Sequence, residues 1–344
     1  GKGAVLWGLE NGQGFGTTEL TVLRPGKHLS AGFLHYLVIS EPFRQGGAGA
    51  MTGAGGLKRV PEEFAANFAV ALPSAEEQRQ LVAALDRETA RIDALIEKKT
   101  RFIALLREKR QALITQAVTQ GLDSSVPMKD SGVAWLGRVP AHWAAIRIRY
   151  VARLESGHTP DRQTTEYWEH CTIPWVSLSD SEQLRRTDYI RETAKQINEL
   201  GLANSSARLL PPGTVVMTRD ATVGLCAILG LTMAVSQHLV AWVPSAEVDS
   251  KYLLLVLRSM GRWLDQLTTG TTIRTIGMDN IKDLRMPLPP IEEQRLIARR
   301  VEEQWTRLAS LMDRTARSVD LLRERRSALI TAAVTGQIDL REAA

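Results

Sequence analysis

The phrase LLREKRQALITQAVT at residues 105–119 returns as LLRERRSALITAAVT at residues 321–335, an offset of 216. Extending the comparison to residues 72–123 and 288–339 needs no gap and gives 22 identities in 52 positions. That level marks an internal repeat rather than two unrelated helices. The matched landmarks are LPSAEEQR with LPPIEEQR, the two basic phrases, and Asp123 with Asp339. Whatever the chain folds into must contain this segment twice.

Each copy opens on a helix-start signal. Ser74 and Glu77 have capping-box spacing, and Pro289 and Pro290 stand where a helix would begin in the second copy. From there neither copy contains Gly or Pro before Gly121 and Gly336. About 45 uninterrupted residues at about 1.5 Å each make a rod of roughly 65 Å, against a usual helix of about 11–12 residues. In the first copy Leu81, Leu85, Ile92, Leu95, Phe102, Leu106 and Leu113 step by 4, 7, 3, 7, 4 and 7, a narrow stripe of coiled-coil type. Ile297, Val301, Leu308, Leu311, Leu322 and Leu329 form the equivalent stripe in the second, with Ser318 as a weak point. One stripe on a long rod cannot be buried alone, so the two rods are expected to pack on each other. The clusters REKR (107–110) and RERR (323–326) carry Glu as well, and read as solvent or partner surface rather than a phosphate track.

A hydrophobic fraction of 44% and a charged fraction of 24% over 344 residues exclude wholesale disorder and leave room for two globular units. The formal charge of +5 permits a polyanionic partner without demanding one. Two cysteines, Cys171 and Cys226, with no CxxC spacing exclude a disulfide framework and fit a reduced, cytoplasmic setting. The longest apolar run, YLLLVL at 252–257, is far too short to span a bilayer. No secretory signal opens the chain, which begins at Gly1 rather than Met.

Between the rods, residues 131–289 have mixed character. TIPWVSL (172–178), GTVVMT (213–218) and HLVAWV (238–243) read as strands separated by turn residues, and SKYLLLVLRSM (250–260) reads as a helix. This is a compact α/β unit. Its second half has a counterpart ahead of the first rod. Residues 17–38 parallel 236–257 in the order strand, turn, helix, and residues 57–73 parallel 273–289. On that register roughly 80–90 residues of the first unit have no counterpart in this chain.

GGAGAMTGAGGLK (46–58) contains neither GxxxxGK[ST] nor GxGxxG, and reads as a loop of small residues. It corresponds in position to TTGTTIRT (268–275). Cys171 beside His170, with Cys226 and His238 far along the chain, matches no zinc spacing. No GxSxG elbow, HExxH, paired-carboxylate or methyl-transfer motif stands out. The sequence therefore gives no catalytic residues and no metal site.

The order of globular unit, long helix, globular unit, long helix resembles the DNA-specificity subunit of type I restriction-modification systems. So do MKDSGVAWLGRVPAHW (128–143), ETAKQINELGLANSSARLLPPGTVVMTRDATVG (192–224) and the two LPxxEEQR openings. The resemblance covers essentially the whole chain. It implies a fold of mixed α/β (α+β) target-recognition domains alternating with two long helices packed as an antiparallel coiled coil. The implied divisions are 1–73, the C-terminal portion of a first recognition domain; 74–123, the first spacer helix; 124–289, the second recognition domain with its lead-in; and 290–344, the second spacer helix and tail. It also implies a non-catalytic, cytoplasmic protein that reads a split site in double-stranded DNA. Two methyltransferase subunits and the restriction subunits would be its partners, with no membrane involved. S-adenosylmethionine, ATP and Mg²⁺ would sit on those partners and no cofactor on this chain. Arg107, Lys109, Arg110, Arg323, Arg325 and Arg326 are the candidates for docking the methyltransferase.

Reading bases in the major groove takes side chains that offer donor and acceptor pairs. The candidates are Arg219 and Thr222 after GTVVMT, then Gln237 and His238, then Thr271, Thr272 and Arg274. Lys58 and Arg59 occupy the matching loop of the first unit, and Lys58 and Arg274 suit phosphate contacts, which position without specifying sequence. Structural roles stand beside these: Thr222 as a turn cap, His238 as a satisfied histidine at a strand start, Trp168 and Trp175 as core. Two rival functions are a fused nuclease or methyltransferase of a related restriction system, and a coiled-coil adaptor without DNA readout.

Overall fold

A computed structural model of the chain describes residues 3–6, 8–9, 11, 13–17, 19–53, 58–270 and 274–340. Two compact units are present: Gly1–Leu105 with Ser310–Ala344, and Leu106–Ala309. In chain order the helices and strands begin with α1 (Ala31–Ile39), α2 (Glu41–Gly49), α3 (Glu62–Ala66) and the long α4 (Ala75–Gln120). Then come β1 (Met128–Asp130), β2 (Arg138–Pro140), β3 (Ala144–Arg147), β4 (Ala152–Ser156), β5 (Ile173–Val176), α5 (Ser181–Arg186), β6 (Tyr189–Ile190) and β7 (Gln196–Ile197). They are followed by α6 (Glu199–Ala203), β8 (Val215–Thr218), β9 (Cys226–Leu229), β10 (Ala234–Val235) and β11 (Leu239–Pro244). The chain closes with α7 (Ser250–Ser259), α8 (Gly261–Gln266), α9 (Met278–Asp283), β12 (Arg285–Leu288) and the long α10 (Ile291–Val334).

The unit Leu106–Ala309 is built on a five-stranded sheet in the order β4-β11-β8-β9-β6. Its central strands are buried on both faces, and alternation sorts them into two cores. Val215, Met217, Cys226, Ile228, Val240 and Trp242 face a cluster shared with α7 and with Ile114, Ala117, Val118, Ile297 and Val301 of the long helices. Val216, Ala227, Leu229, Leu239 and Ala241 face a second cluster with Val176, Leu184 and Ile190. A three-stranded sheet, β10-β5-β7, lies alongside in sequence. Trp175 is buried there, edge-on to Trp168 at 5.6 Å between ring centroids, so both tryptophans serve packing.

The long helices are 46 and 44 residues. Ser74 donates its backbone N–H to Glu77 at 2.9 Å, while the Glu77 N–H donates to Ser74 Oγ at 3.3 Å, the reciprocal cap that the sequence announces. At the far ends Gly121 and Gly336 adopt φ of 76° and 73°, the left-handed conformation that stops a helix and favours glycine. The helices run antiparallel within each unit. In one, Asp93 pairs with Arg326 at 2.9 Å and Leu85 packs with Ile330. In the other, Arg110 stacks over the Trp305 ring at 3.7 Å, and Ile114 shares a cluster with Ile297 and Val301.

The stripe that faces inward differs from the expected one in its middle. Leu95, Phe102 and Leu311 are 40%, 41% and 39% exposed. The protected positions of α4 instead include Leu85, Thr89, Ile92, Ile96, Lys99, Ile103, Leu106, Arg110, Ile114 and Ala117, in steps of three or four. The corresponding positions of α10 are Val301, Trp305, Leu308, Met312, Thr315, Val319, Leu322, Arg326, Ile330 and Ala333. Lys99, Thr315 and the equivalent Arg110 and Arg326 lie on this seam, and a search for apolar residues alone skips Lys99 and takes Leu95 and Phe102 in place of the adjacent Ile96 and Ile103. Long basic side chains fit such a seam by laying their aliphatic stems along it.

Two further expectations are corrected in the unit Gly1–Leu105 with Ser310–Ala344. The first part of GGAGAMTGAGGLK is helical: α2 runs to Gly49, started by Glu41 and Pro42. Gly46 and Gly47 let the Phe64 ring approach so closely that an added Cβ would stand 3.0–3.3 Å from it. Residues 17–23 form no strand among the described residues and are largely exposed. Their counterpart β11 is held by ladders to β4 and β8, and no strand accompanies residues 17–23 among the described residues of their own unit. An isolated strand-like sequence has no ladder to complete. Other parts of the repeat hold in three dimensions. The Thr52–Arg59 bridge answers the Thr269–Thr275 bridge, and α1 and α3 answer α7 and α9.

The EEQR glutamines explain why each long helix starts where it does. Gln294 is buried; its Oε1 accepts from the Asp249 N–H at 3.0 Å and its Nε2 donates to the carbonyls of Glu247 and Pro289 at 2.9 Å. Gln78 repeats this with the Ser30 N–H at 2.8 Å and the carbonyls of His28 and Pro73 at 2.8 and 2.9 Å. Asp249 and Ser30 are the N-caps of α7 and α1, so one amide ties two helix starts together. Gln294→Met, similar in size but unable to make these bonds, is expected to lower the unfolding free energy by about 2–3 kcal/mol in urea titration. Gln304→Met, on the exposed side of the same helix, is expected to stay within about 0.5 kcal/mol. Equal effects would contradict the tether.

Candidate nucleic-acid interface

Three of the segments singled out in the sequence meet at one end of the five-stranded sheet. The turn after β8 is organised by Thr218, whose hydroxyl donates to the Thr222 carbonyl and accepts from the Leu225 N–H at 3.0 Å. Thr222 thus contributes its backbone to the turn. Ala221 takes φ of 60°, a left-handed conformation uncommon outside glycine. The Arg219 N–H donates to the His238 carbonyl at 2.9 Å, the Ile276 N–H donates to the Arg219 carbonyl at 3.0 Å, and the Ala221 N–H donates to the Arg274 carbonyl at 2.9 Å. Residues 219–222, 237–238 and 274–276 are therefore one backbone-stitched cluster. Thr271 and Thr272 lie outside the described residues.

The side chains extend this network. His238 Nδ1 lies 2.8 Å from Asp220 Oδ2. Its Nε2 lies 3.4 Å from the Gln237 amide nitrogen, and the Gln237 Oε1 accepts from the Thr159 hydroxyl. Arg219 is mostly buried; its Nε stands 3.8 Å from Asp220 Oδ1 and finds no hydrogen-bond partner. Arg274 is held by the Asp265 carboxylate at 3.1 Å and Thr268 Oγ1 at 2.8 Å, with half its side chain still exposed. Polar, loop-borne and anchored on a sheet, this surface has the composition used to contact phosphates and base edges.

Thr159 reaches the cluster through the segment after β4. The His158 N–H donates to the Val235 carbonyl at 3.1 Å, and the Trp175 indole donates to the His158 carbonyl at 3.1 Å. Gly157 makes this approach possible: a Cβ there would stand 1.8 Å from the Val235 oxygen.

The remaining candidates fall elsewhere. Lys58 and Arg59 belong to the other unit, where Lys58 is exposed and Arg59 pairs with Glu19. Of the basic helix residues, Arg107, Lys109 and Arg325 are exposed, and Arg323 pairs with Asp320 at 3.2 Å on its own helix. Arg110 and Arg326 turn toward the opposite helix. Burial, with nearby Arg258 second, pushes the Arg110 guanidinium below its ordinary range. The Cys226 thiol is pushed up to about 12 by burial, so it is an unreactive core group. Among the described residues no group of three His, Cys, Asp or Glu is placed to hold a metal. No described helix is long and apolar enough to cross a membrane.

Sequence reasoning missed Asp220, Thr159, Gly157 and the two buried glutamines. Asp220 and Thr159 act through partners 18 and 78 residues away, which leaves no local signal. Gln78 and Gln294 did carry one, since both copies of the repeat keep them at the same place.

Residues 140–308 match the family described as "Type I restriction modification DNA specificity domain". Residues 140–308, just under half of the chain, thus carry a domain of this family. It is 28% identical over 165 residues to the type I restriction enzyme MjaIX specificity subunit of Methanocaldococcus jannaschii, a match covering 47% of this chain and 38% of that protein. It is 23% identical over 177 residues to the EcoR124I/EcoR124II specificity subunit of Escherichia coli, covering 50% and 43%. The matched stretches thus span less than half the length of these two relatives. Among solved structures, a chain from a study of "complex assembly and conformational transition of the type I R-M system" superposes with a TM-score of 0.69 at 20% identity, covering 89% of this chain and 71% of that one. The HsdS subunit from Thermoanaerobacter tengcongensis gives 0.53 at 19%, covering 91% and 72%. These likenesses establish a shared fold of mixed α/β units and long antiparallel helices.

Gly157→Ala is expected to destabilise the family domain by about 3 kcal/mol or more, because backbone rather than a pliable side chain blocks the added methyl. Gly261→Ala, where a Cβ meets nothing within 4 Å, is expected to change stability by less than about 1 kcal/mol. Thermal unfolding of the two variants gives the comparison, and an unaffected Gly157→Ala protein would contradict the packing described.

Proposed function

We propose that this chain is the sequence-reading, non-catalytic subunit of a type I restriction-modification assembly. The observation that carries the reading is the meeting of residues 219–222, 237–238 and 274–276 in one polar surface within the matched family domain. That surface addresses one half of a split DNA site. The second half falls to the unit containing α1 to α3, whose Lys58 and Arg59 stand in the loop equivalent to that of Arg274. The paired helices act as a spacer between half-sites, for which about 34 Å or a multiple is the natural separation on a duplex. Arg107, Lys109, Arg323 and Arg325 contribute to the surface that docks two methyltransferase subunits, with restriction subunits joining the larger assembly in the cytoplasm. In this reading S-adenosylmethionine, ATP and Mg²⁺ belong to those partners.

Methylome mapping in cells that carry this chain with its partner subunits tests the proposal. The expected result is a two-part methylated motif, absent when the chain is deleted. Residues inserted at 114–121 in the first rod are expected to change the spacer while leaving both half-site sequences intact. An unchanged spacer would overturn the ruler, and methylation indifferent to sequence would overturn the reading. The purified chain alone, given DNA, Mg²⁺ and S-adenosylmethionine, is expected to yield no cleaved or methylated product.

A further inference from the structure

We infer that Gln237 reads an adenine, and that Asp220, His238 and Thr159 are positioning residues that fix which way its amide faces; this rests on the DNA-reading function proposed above. The Asp220 carboxylate, only 16% exposed, is acceptor-only when ionised, so the His238 Nδ1 at 2.8 Å must carry a hydrogen. In the neutral imidazole that leaves Nε2 as an acceptor. The group 3.4 Å from Nε2 is the Gln237 side-chain nitrogen, which can only donate. The Thr159 hydroxyl donates to the other end of the same amide, Oε1. Every donor in the chain from Thr159 to Asp220 thus meets an acceptor. A flipped Gln237 amide would set its oxygen against the His238 lone pair.

Gln237 is exposed, yet this arrangement uses only half of its capacity. One Nε2 hydrogen and one Oε1 lone pair remain on the planar amide. That donor-acceptor pair complements adenine in the major groove, where N7 accepts and the N6 amino group donates. An amide whose orientation is already set loses little freedom on binding, and the wrong base leaves its polar atoms unpaired. The neighbouring backbone is equally fixed, by the Arg219 N–H on the His238 carbonyl and by the Gly157 contact beneath Thr159.

The test is selection of bound duplexes from a randomised double-stranded DNA library by the full chain, followed by sequencing. The unaltered chain is expected to enrich a motif with one position strongly fixed as A. Gln237→Ala is expected to reduce the preference at that position about tenfold or more, the scale of a bidentate base contact, leaving the preference at the other positions in place. Gln237→Glu, which can accept but not donate, is expected to shift the same position from A toward C. Asp220→Asn releases the histidine tautomer and is expected to weaken the preference at that position alone, an effect that general loosening of the fold would not produce. A motif kept intact in Gln237→Ala and Gln237→Glu overturns the assignment while leaving DNA reading in place. Loss of preference at every position in Asp220→Asn overturns its positioning role. Enrichment of no motif by the unaltered chain overturns the DNA-reading proposal and this one with it.

Discussion

The structure depends on the burial of one stripe on each of two helices more than forty residues long. A helix of that length with charged residues around most of its circumference gains little from packing on itself, and helical stability in water comes chiefly from tertiary burial of an apolar face. Duplication supplies the partner: the second copy brings the same stripe, and antiparallel packing sets Leu85 with Ile330 and Ile114 with Val301. The seam is not uniformly apolar. Arg110 and Arg326, equivalent in the repeat, both lie on it, one stacked on Trp305 and the other paired with Asp93. Polar groups at seam positions cost stability and restrict the registers in which two helices can pair. A shift of one heptad would separate Arg326 from Asp93 and Arg110 from Trp305.

From the seam the geometry passes to the five-stranded sheet through Gln294. Its amide joins the start of α10 to the start of α7, and α7 packs on one face of the five-stranded sheet. The far ends of β8 and β11 carry the turns that hold Asp220, Gln237 and His238. Each link is a buried hydrogen bond or a packed side chain, so the polar cluster is supported by the scaffold rather than by a free loop. Gln78 repeats the first link in the other unit with the same three kinds of partner. The duplication therefore extends beyond a shared helix to the joint between helix and domain.

Much of this was legible in the residues. The repeat, both helix starts and both glycine stops came from the sequence because caps and stops are local chemistry. Strands 173–176, 215–218 and 239–244 were visible for the same reason, as β-branched or aromatic runs between turns. The seam was read correctly at Leu85, Ile92 and Leu106 and wrongly at Leu95 and Phe102, since the seam residue between Ile96 and Ile103 is Lys99, which a search for apolar residues skips. The strand expected at residues 17–23 fails because a strand needs a neighbour, which no propensity supplies. In the polar cluster, Arg219, Gln237, His238 and Arg274 were named as separate loops. Their convergence, and the parts played by Asp220 and Thr159, are products of the tertiary fold.

The pairing of the two helices can be tested directly by cross-linking. With Cys171 replaced by Ser, and Cys226 inaccessible in the core, Asp93→Cys and Arg326→Cys introduced together should be bridged within one molecule by a short bis-maleimide, because those positions face each other across the seam. Arg107→Cys with Arg323→Cys, equivalent positions that a parallel pairing would bring together, should not. Cross-linking of the second pair in place of the first, or only between separate molecules, would contradict the antiparallel seam on which the account stands.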